Sequence, residues 1–419
     1  MPDGEATAAA PVLPGVGPVP VPRSGPGARS PEPPLTYLDH AASTPMRPEV
    51  VEAMAPFAAH VFGHPSGSHR QARAARAALE EARDQVAQVL GCAPAEVVFT
   101  AGGTEADNLA VLGALGAAAL ERPGRPTVVV SSAVEHAAVL ASCRAAAARL
   151  PGVEHQEVGV DSRGVLHLDQ LADALDEDVA LVTVMLANNE VGTVQPLSDV
   201  VAEVARRAPG AFVHTDAVQA APWLDLAEAA AGAALVSVSA HKLGGPKGAG
   251  ALVVRKGTPL LPLMVGGGQE RERRAGTHDV AGAVGLAAAL AASAAEREEE
   301  SVRVAALRDR LADGIQAAVP AVVEAADRKD VLPGHCLLCF SGVDREELVL
   351  LLDQAGVCVS GGAACASGAL EPSHVLAAMG VPDADARGAI RFSLGHTSSS
   401  ADVERALAVV PEAVARLRG

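Results

Sequence analysis

The sequence predicts an α/β chain: a large domain with a mainly parallel, mixed sheet flanked by helices, and a smaller α+β domain on the C-terminal side. Three observations predict this. Runs of β-branched residues alternate with stretches of helical period through most of the 419 residues, the pattern of a doubly wound sheet. A glycine-rich turn, Ala101-Gly102-Gly103, follows the first of these strand runs and opens an Ala/Leu-rich helix. After the charged stretch 296–310 the alternation ends, and shorter strands lie among helices.

Residues 1–34 are rich in Pro, Gly and Ala without a hydrophobic period, so a disordered tail is expected there. The segment Tyr37 to Pro45 (YLDHAASTP) begins the ordered part. Strands are expected over 97–100, 127–131, 179–186, 212–215, 234–239 and 251–255, each a short apolar run bounded by turn residues. Helices are expected between most of them, as over 139–150 and 197–208. Beyond the charged stretch a long helix precedes short strands near 337–340 and 357–359. The expected division is a large domain over 46–297 and a small one from 36–45 together with 298–419. In a parallel sheet, ligands bind at the carboxyl ends of the strands.

Hydrophobic residues make up 49% of the chain but aromatics only 2%, so the core has to be built from Ala, Val and Leu. The formal net charge of −17 argues against a general nucleic-acid or anionic-membrane surface. No uninterrupted apolar run reaches the roughly 20 residues of a membrane span; the Ala-rich stretch 281–295 stops at Glu296. The N-terminus has neither the basic start nor the apolar segment of a secretory signal. Six cysteines in a chain of this length do not make a disulfide framework. Cytoplasmic location with free thiols is the expectation.

Lys242 is one of only four lysines and follows the expected strand 234–239, facing the ligand crevice. An amine there can lose its proton and form a Schiff base with a carbonyl cofactor, although an isolated lysine is more commonly a solvated loop residue. The turn Thr100-Ala101-Gly102-Gly103-Thr104-Glu105 puts backbone N–H groups and a helix dipole where a phosphate could sit. It matches neither a Walker loop nor a GxGxxG fingerprint. Asp216 ends another strand; it could keep a pyridine nitrogen protonated or simply cap a helix. His136 ends a third strand and could stack on a planar ring or shuttle protons. Asn188 and Asn189 end a fourth.

Cys365 lies in Val359-Ser360-Gly361-Gly362-Ala363-Ala364-Cys365-Ala366-Ser367-Gly368, a small-residue segment ill suited to burying a thiol. Cys336 and Cys339 form a lone C-x-x-C in a strand-like run. Side chains three apart in a strand face opposite sides, which favours core packing over a metal site. Arg391 could grip a carboxylate bidentately or serve a structural ion pair. The segments Gly266 to Arg271 and Gly276-Thr277 read as a polar loop too exposed in character to be core.

With these residues in place, the chain from about Tyr37 to Ser400 resembles the cysteine desulfurases of the aminotransferase class V group, and is most similar to the iron–sulfur cluster assembly type. The matching segments are YLDHAASTP, TAGGTEADN, VEHAAVL, ANNEVGTVQ, HTDAVQ, SAHKLGGPKG, GGGQERERRAGT, SGGAACASGALEPSHVL and IRFSLGHT. The resemblance implies the fold type I of pyridoxal-phosphate-dependent transferases and pyridoxal 5′-phosphate as cofactor. It implies that Lys242 forms the Schiff base, that Asp216 pairs with the ring nitrogen, and that Gln219 and Asn189 approach the ring hydroxyl. His136 would stack on the ring and act in catalysis. Gly103, Thr104, Ser239 and His241 would hold the phosphate, and Thr277 would reach the phosphate of a neighbouring subunit in a homodimer. Arg391, with His64 and Asn189, would bind the substrate, L-cysteine. Cys365 would carry the persulfide, with no intrinsic metal, though it could ligate a transient iron–sulfur cluster.

The implied sulfur acceptor is a protein such as an iron–sulfur scaffold or a tRNA thiolation enzyme, with no direct nucleic-acid or membrane partner. Two departures stand out. Gly63-His64-Pro65-Ser66 replaces the family's Gly-Asn-Pro-Ser, and Ala363 stands where serine is usual. Two alternatives stay open: another pyridoxal-phosphate enzyme of this group (a lyase, epimerase or transaminase), or a non-catalytic relative that only binds partners.

Overall fold

A computed structural model describes residues 35–361 and 373–419. Its main sheet has seven strands in the spatial order Val97–Thr100, Gly250–Val254, Leu235–Ser239, Phe212–Asp216, Val179–Thr183, Thr127–Ser132 and Val153–Val158. Gly250–Val254 runs antiparallel to both neighbours and the other pairings are parallel. Most of these strands are buried along their whole length, as expected of a sheet covered on both faces. Phe212 opens its strand half-buried, and Val153–Val158 is the main exception. Its sequence, VEHQEV, exposes its middle at the sheet edge, and so it lacks the apolar run that marks the others.

Helices on both faces close the layers. Helix Leu197–Arg207 buries Leu197, Val200 and Val204 along one stripe. Helix Gly103–Glu121 is buried over a broad arc from Ala106 to Ala117. Gly102, which precedes it, has φ +139°, a conformation open to glycine and strained for other residues. A Cβ on Gly250 would lie 2.7 Å from the Gly102 Cα, so this corner of the sheet needs both glycines.

A second sheet of three antiparallel strands has the order Ala389–Ser393, His335–Phe340, Val322–Glu324. Thr36–Tyr37 pairs in parallel with Val357–Cys358. Cys336 and Cys339 are 1% and 2% exposed and join different apolar clusters on opposite faces of their strand, which confirms core packing.

One 39-residue helix, Val280–Ala318, runs through the expected boundary at 297/298. Ala283, Leu286, Ala287 and Leu290 belong to the core under the main sheet; Val304, Leu311 and Ile315 belong to the core under the second. Its first half is apolar and long enough, by length and composition, to pass for a membrane span. The burial of these side chains against the rest of the fold accounts for that character.

Candidate active site

The carboxyl ends of the parallel strands border a cleft of about 600 Å³. Gly103, Thr104, His136, Asn189, Asp216, Gln219, Ser239, His241, Lys242 and Arg391 all line it. They come from separate segments of the chain, which the sheet topology converges. His64 and Thr277 do not line it in this chain; both are exposed, and the His64 Nδ1 accepts from the Ser66 N–H at 3.2 Å. Cys365 lies outside the described residues.

Lys242 ends a short 3₁₀ turn, Ala240–Lys242, immediately after the strand Leu235–Ser239. Its Nζ donates to the carbonyl oxygens of Ala41 and, at 3.0 Å, Ala42. Gln219 Nε2 donates to the same Ala41 carbonyl at 2.9 Å. The opening segment of the described chain therefore forms one wall of the cleft. His136 caps the helix Ala137–Arg149, its Nδ1 accepting from the Ala138 N–H at 3.1 Å. That bond sets the ring's orientation.

Asp216 closes its strand and is 5% exposed. Burial raises its carboxyl above the usual range, while His136 and Lys242 pull it back. Val218 N–H donates to its Oδ1 at 2.9 Å. His241 is lowered to about 4 by burial and by the neighbouring cations Lys242 and Lys247, so its imidazole is neutral at physiological pH.

Arg391 is held from two sides. Its Nη1 donates to the Asn189 carbonyl at 2.8 Å and its Nη2 to Asp39 Oδ1 at 2.8 Å. Its Nε is buried without a hydrogen-bond partner. The structural ion pair and a donor for a bound carboxylate are thus compatible in one guanidinium. Asn188 turns away from the cleft's chemistry. Its amide donates to Val134 O, and its Oδ1 accepts from the N–H groups of Glu190 and Val191. It fixes the turn that presents Asn189.

These residues fit a phosphorylated pyridine ring. The Ser239 Oγ is buried at the cleft with no partner, close to the N-terminus of the 19-residue helix Gly103–Glu121. A buried hydroxyl left unpaired is costly, and a phosphate oxygen would satisfy it along with the free N–H groups of the helix start. Asp216 would supply a carboxylate for a protonated ring nitrogen, and Lys242 an amine.

Two cleft residues, Asp107 and His374, and Glu135 beside the cleft-lining His136 were not evident in the sequence. Asp107 and Glu135 are both fully buried carboxyls, in segments (TEADN, VEH) where an acid ordinarily marks a solvated surface. Glu135 is pushed up to about 8 by burial, despite bonds from Ser132 Oγ and the Met185 N–H. His374 also lines the cleft.

In the segments 266–271 and 276–277, expected to be exposed, Glu270 is the one buried residue, and Ala275 between them is buried too. Glu270 turns inward, its side chain 1% exposed. It receives Arg83 at 2.7 and 2.9 Å, the Phe99 N–H at 2.9 Å and His278 Nε2 at 2.8 Å. Glu270, Arg271 and Glu272 all have positive φ, so this anchor holds a strained turn. Arg274 ties the same loop to Glu105 beside the helix start. Replacing Glu270 with alanine strands the Arg83 charge and should cost about 3–5 kcal/mol, measured by urea unfolding. A loss below about 1 kcal/mol would show that the anchor does not carry the loop. Hydrogen bonds and Arg83 hold the Glu270 carboxyl at about 2, against burial. Its stabilisation is therefore present above pH 4.5 and disappears as the pH falls towards 2.

The aminotransferase class-V family model matches residues 36–406. The IscS-like cysteine desulfurase of Mycobacterium tuberculosis is 46% identical over 392 residues, covering 92% of this chain and 97% of the relative. Among solved structures, one described as a NifS-like protein superposes with a TM-score of 0.84 at 34% identity, covering 91% of this chain and 100% of that one. A structure of SspA in complex with cysteine superposes with a TM-score of 0.73 at 31% identity, covering 86% and 98%. By sequence along nearly its whole described length, and by the architecture that gathers these residues in one cleft, the chain belongs to the aminotransferase class-V family.

Proposed function

We propose that the protein is a cysteine desulfurase that uses pyridoxal 5′-phosphate and transfers the sulfur of L-cysteine to Cys365. The observation that carries this reading is the convergence on one cleft of Lys242, Asp216, the Gly103 helix start with Ser239, and Arg391. When bound, the cofactor's protonated ring draws electron density from the amino acid's Cα. Lys242 holds the cofactor through its amine and, once released, takes the Cα proton. Asp216 would pair with the ring nitrogen and keep it protonated. Gly103, Thr104, Ser239 and His241 hold the phosphate, Gln219 and Asn189 the ring hydroxyl. His136 would stack on the ring and could pass a proton there.

Arg391 orients L-cysteine by its carboxylate. Asp39 and the Asn189 carbonyl preset its guanidinium, so little side-chain freedom is lost on binding. His64 reaches the substrate only if its loop moves inward. The Cys365 thiolate attacks the substrate sulfur: an S–S bond forms, the C–S bond breaks with its electron pair passing to the substrate Cβ, that carbon takes up a proton, and alanine leaves. Sulfur then passes to an acceptor protein. A homodimer is supported by the exposed Thr277 and by the adjoining apolar residues Leu263, Met264 and Val265, which are 43%, 44% and 84% exposed. Within the chain we assign 46–297 to cofactor binding, and 36–45 with 298–419 to the part that carries Cys365.

The test is incubation of the cofactor-loaded protein with L-cysteine and a thiol. Alanine and sulfide are expected in equal amounts. Pyruvate, D-cysteine or a transaminated product in place of alanine would assign the cleft to a lyase, epimerase or transaminase.

A further inference from the structure

Asp107 sits in the second turn of the helix Gly103–Glu121 and is 1% exposed. It lines the cleft together with Asp216 and His136, and one side-chain N or O atom from each of these three residues lies within 4.8 Å of the others. The groups around it come from several elements. Asp216 and His214 belong to one strand, Glu135 and His136 precede the next helix, and Lys242 follows the strand that carries Ser237. The Ser237 hydroxyl, bonded to His214 Nε2 at 3.0 Å, lowers the Asp107 carboxyl somewhat, yet the Asp107 Oδ1 has no partner. The only ion-pair contact of Asp107 among the described residues is His214 Nε2 at 3.8 Å. Burial lowers that imidazole to about 3, so it brings no charge.

Two carboxyls this close and this dry do not both ionise near neutral pH. The surroundings decide which one keeps the proton. Asp216 has the Val218 N–H on its Oδ1 and the influence of His136 and Lys242. Asp107 has burial and the charge of Asp216 against it, and both raise its carboxyl well above the usual range.

We propose that Asp107 is a positioning residue that keeps its carboxyl proton and so leaves Asp216 the single negative charge facing the cofactor's ring nitrogen. The proposal rests on the cofactor reading above, and it explains why a second acid tolerates so dry a position. A neutral carboxyl can donate, which an ionised one cannot. Asparagine at 107 would preserve that neutral, donating character, whereas alanine would not.

Two measurements test this. Carbon-13 NMR of the wild-type protein, labelled at the aspartate carboxyls and free of cofactor, should show one carboxyl still protonated at pH 7. Its signal should vanish in Asp107→Asn. If every aspartate has ionised by about pH 5, within reach of its ordinary value, the proposal is overturned, whatever the cofactor does. In the loaded protein, Asp107→Ala should move the pH midpoint of the bound cofactor's visible absorbance by about one unit or more, and Asp107→Asn should restore it to within about 0.3 unit. Asparagine behaving like alanine would also overturn the proposal. Wild-type protein that binds no cofactor would instead defeat the cofactor reading, and the NMR titration would still decide the protonation of Asp107.

Discussion

Lys242→Ala is expected to abolish the covalent hold on the cofactor and to reduce alanine formation from L-cysteine by about 10³-fold or more. Removing a general base alone costs roughly 10² to 10⁴-fold, and in the proposed function the same amine also anchors the cofactor. The fold should not suffer. Lys242 ends a three-residue turn at the cleft rim, is only half-buried, and donates to the carbonyls of Ala41 and Ala42; water entering a cleft of about 600 Å³ can satisfy these oxygens in its absence. The thermal midpoint should therefore stay within about 2 °C of wild type. Borohydride reduction followed by peptide mass analysis reads the attachment directly: wild type should gain the reduced cofactor on the peptide containing Lys242, and the variant should gain none. Lys247 also lines the cleft. Attachment there in the wild type, or a variant retaining a tenth of the rate, would remove Lys242 from its assigned role.

How far the site could be read in advance depended on where each residue sits in the covalent pattern. Lys242, Asp216 and His136 lie at or just past the ends of apolar runs, and a parallel sheet brings such ends together. The strand at 97–100 matches its expected bounds, and those at 127, 212, 235 and 250 match within a residue or so. The strand expected to reach 186 stops at Thr183; beyond it the chain pairs Ala187 with Val194 in a tight turn held by Asn188, which continuous hydrophobicity conceals.

Other features depend on partners far away in sequence. The strand Ala389–Ser393 has an arginine at its centre, and nothing local shows that Asp39, 352 residues away, and Asn189 make its burial tolerable. Glu270 looks like a loop acid until Arg83 and Phe99 are seen beside it. Asp107 is the extreme case. An acid in the first turns of a helix is ordinarily a solvated residue that favours the dipole, and only the packed sheet reveals it as a buried carboxyl beside another.

The second large effect is expected at Cys365. Cys365→Ser should bind cofactor and L-cysteine as the wild type does, while sulfide release falls to the level of free cofactor and no peptide gains sulfur. The argument is one of elimination and reach. Thiols react as thiolates, and the five described cysteines are all held neutral. Cys143, Cys336 and Cys339 are buried, with thiols raised by desolvation, Cys339 to about 11. Cys92 is likewise pushed to about 11, and Cys358 is raised by burial and by Asp353 and Asp39.

The described flanks of the segment that holds Cys365 lie at the cleft. Ser360 pairs with Arg391 through two backbone hydrogen bonds, and His374, on the far side of the segment, lines the cleft and bonds to the Glu135 carbonyl. The stretch from Gly361 to Cys365 spans at most about 14 Å when extended, so chain length permits the thiol to meet an amino acid held at Arg391. Trypsin peptides of wild type, quenched during turnover with L-cysteine, should carry one added sulfur on the peptide containing Cys365 and on no other. Sulfur found instead on Cys358, which ends the short strand just before this segment, would transfer the acceptor role to it.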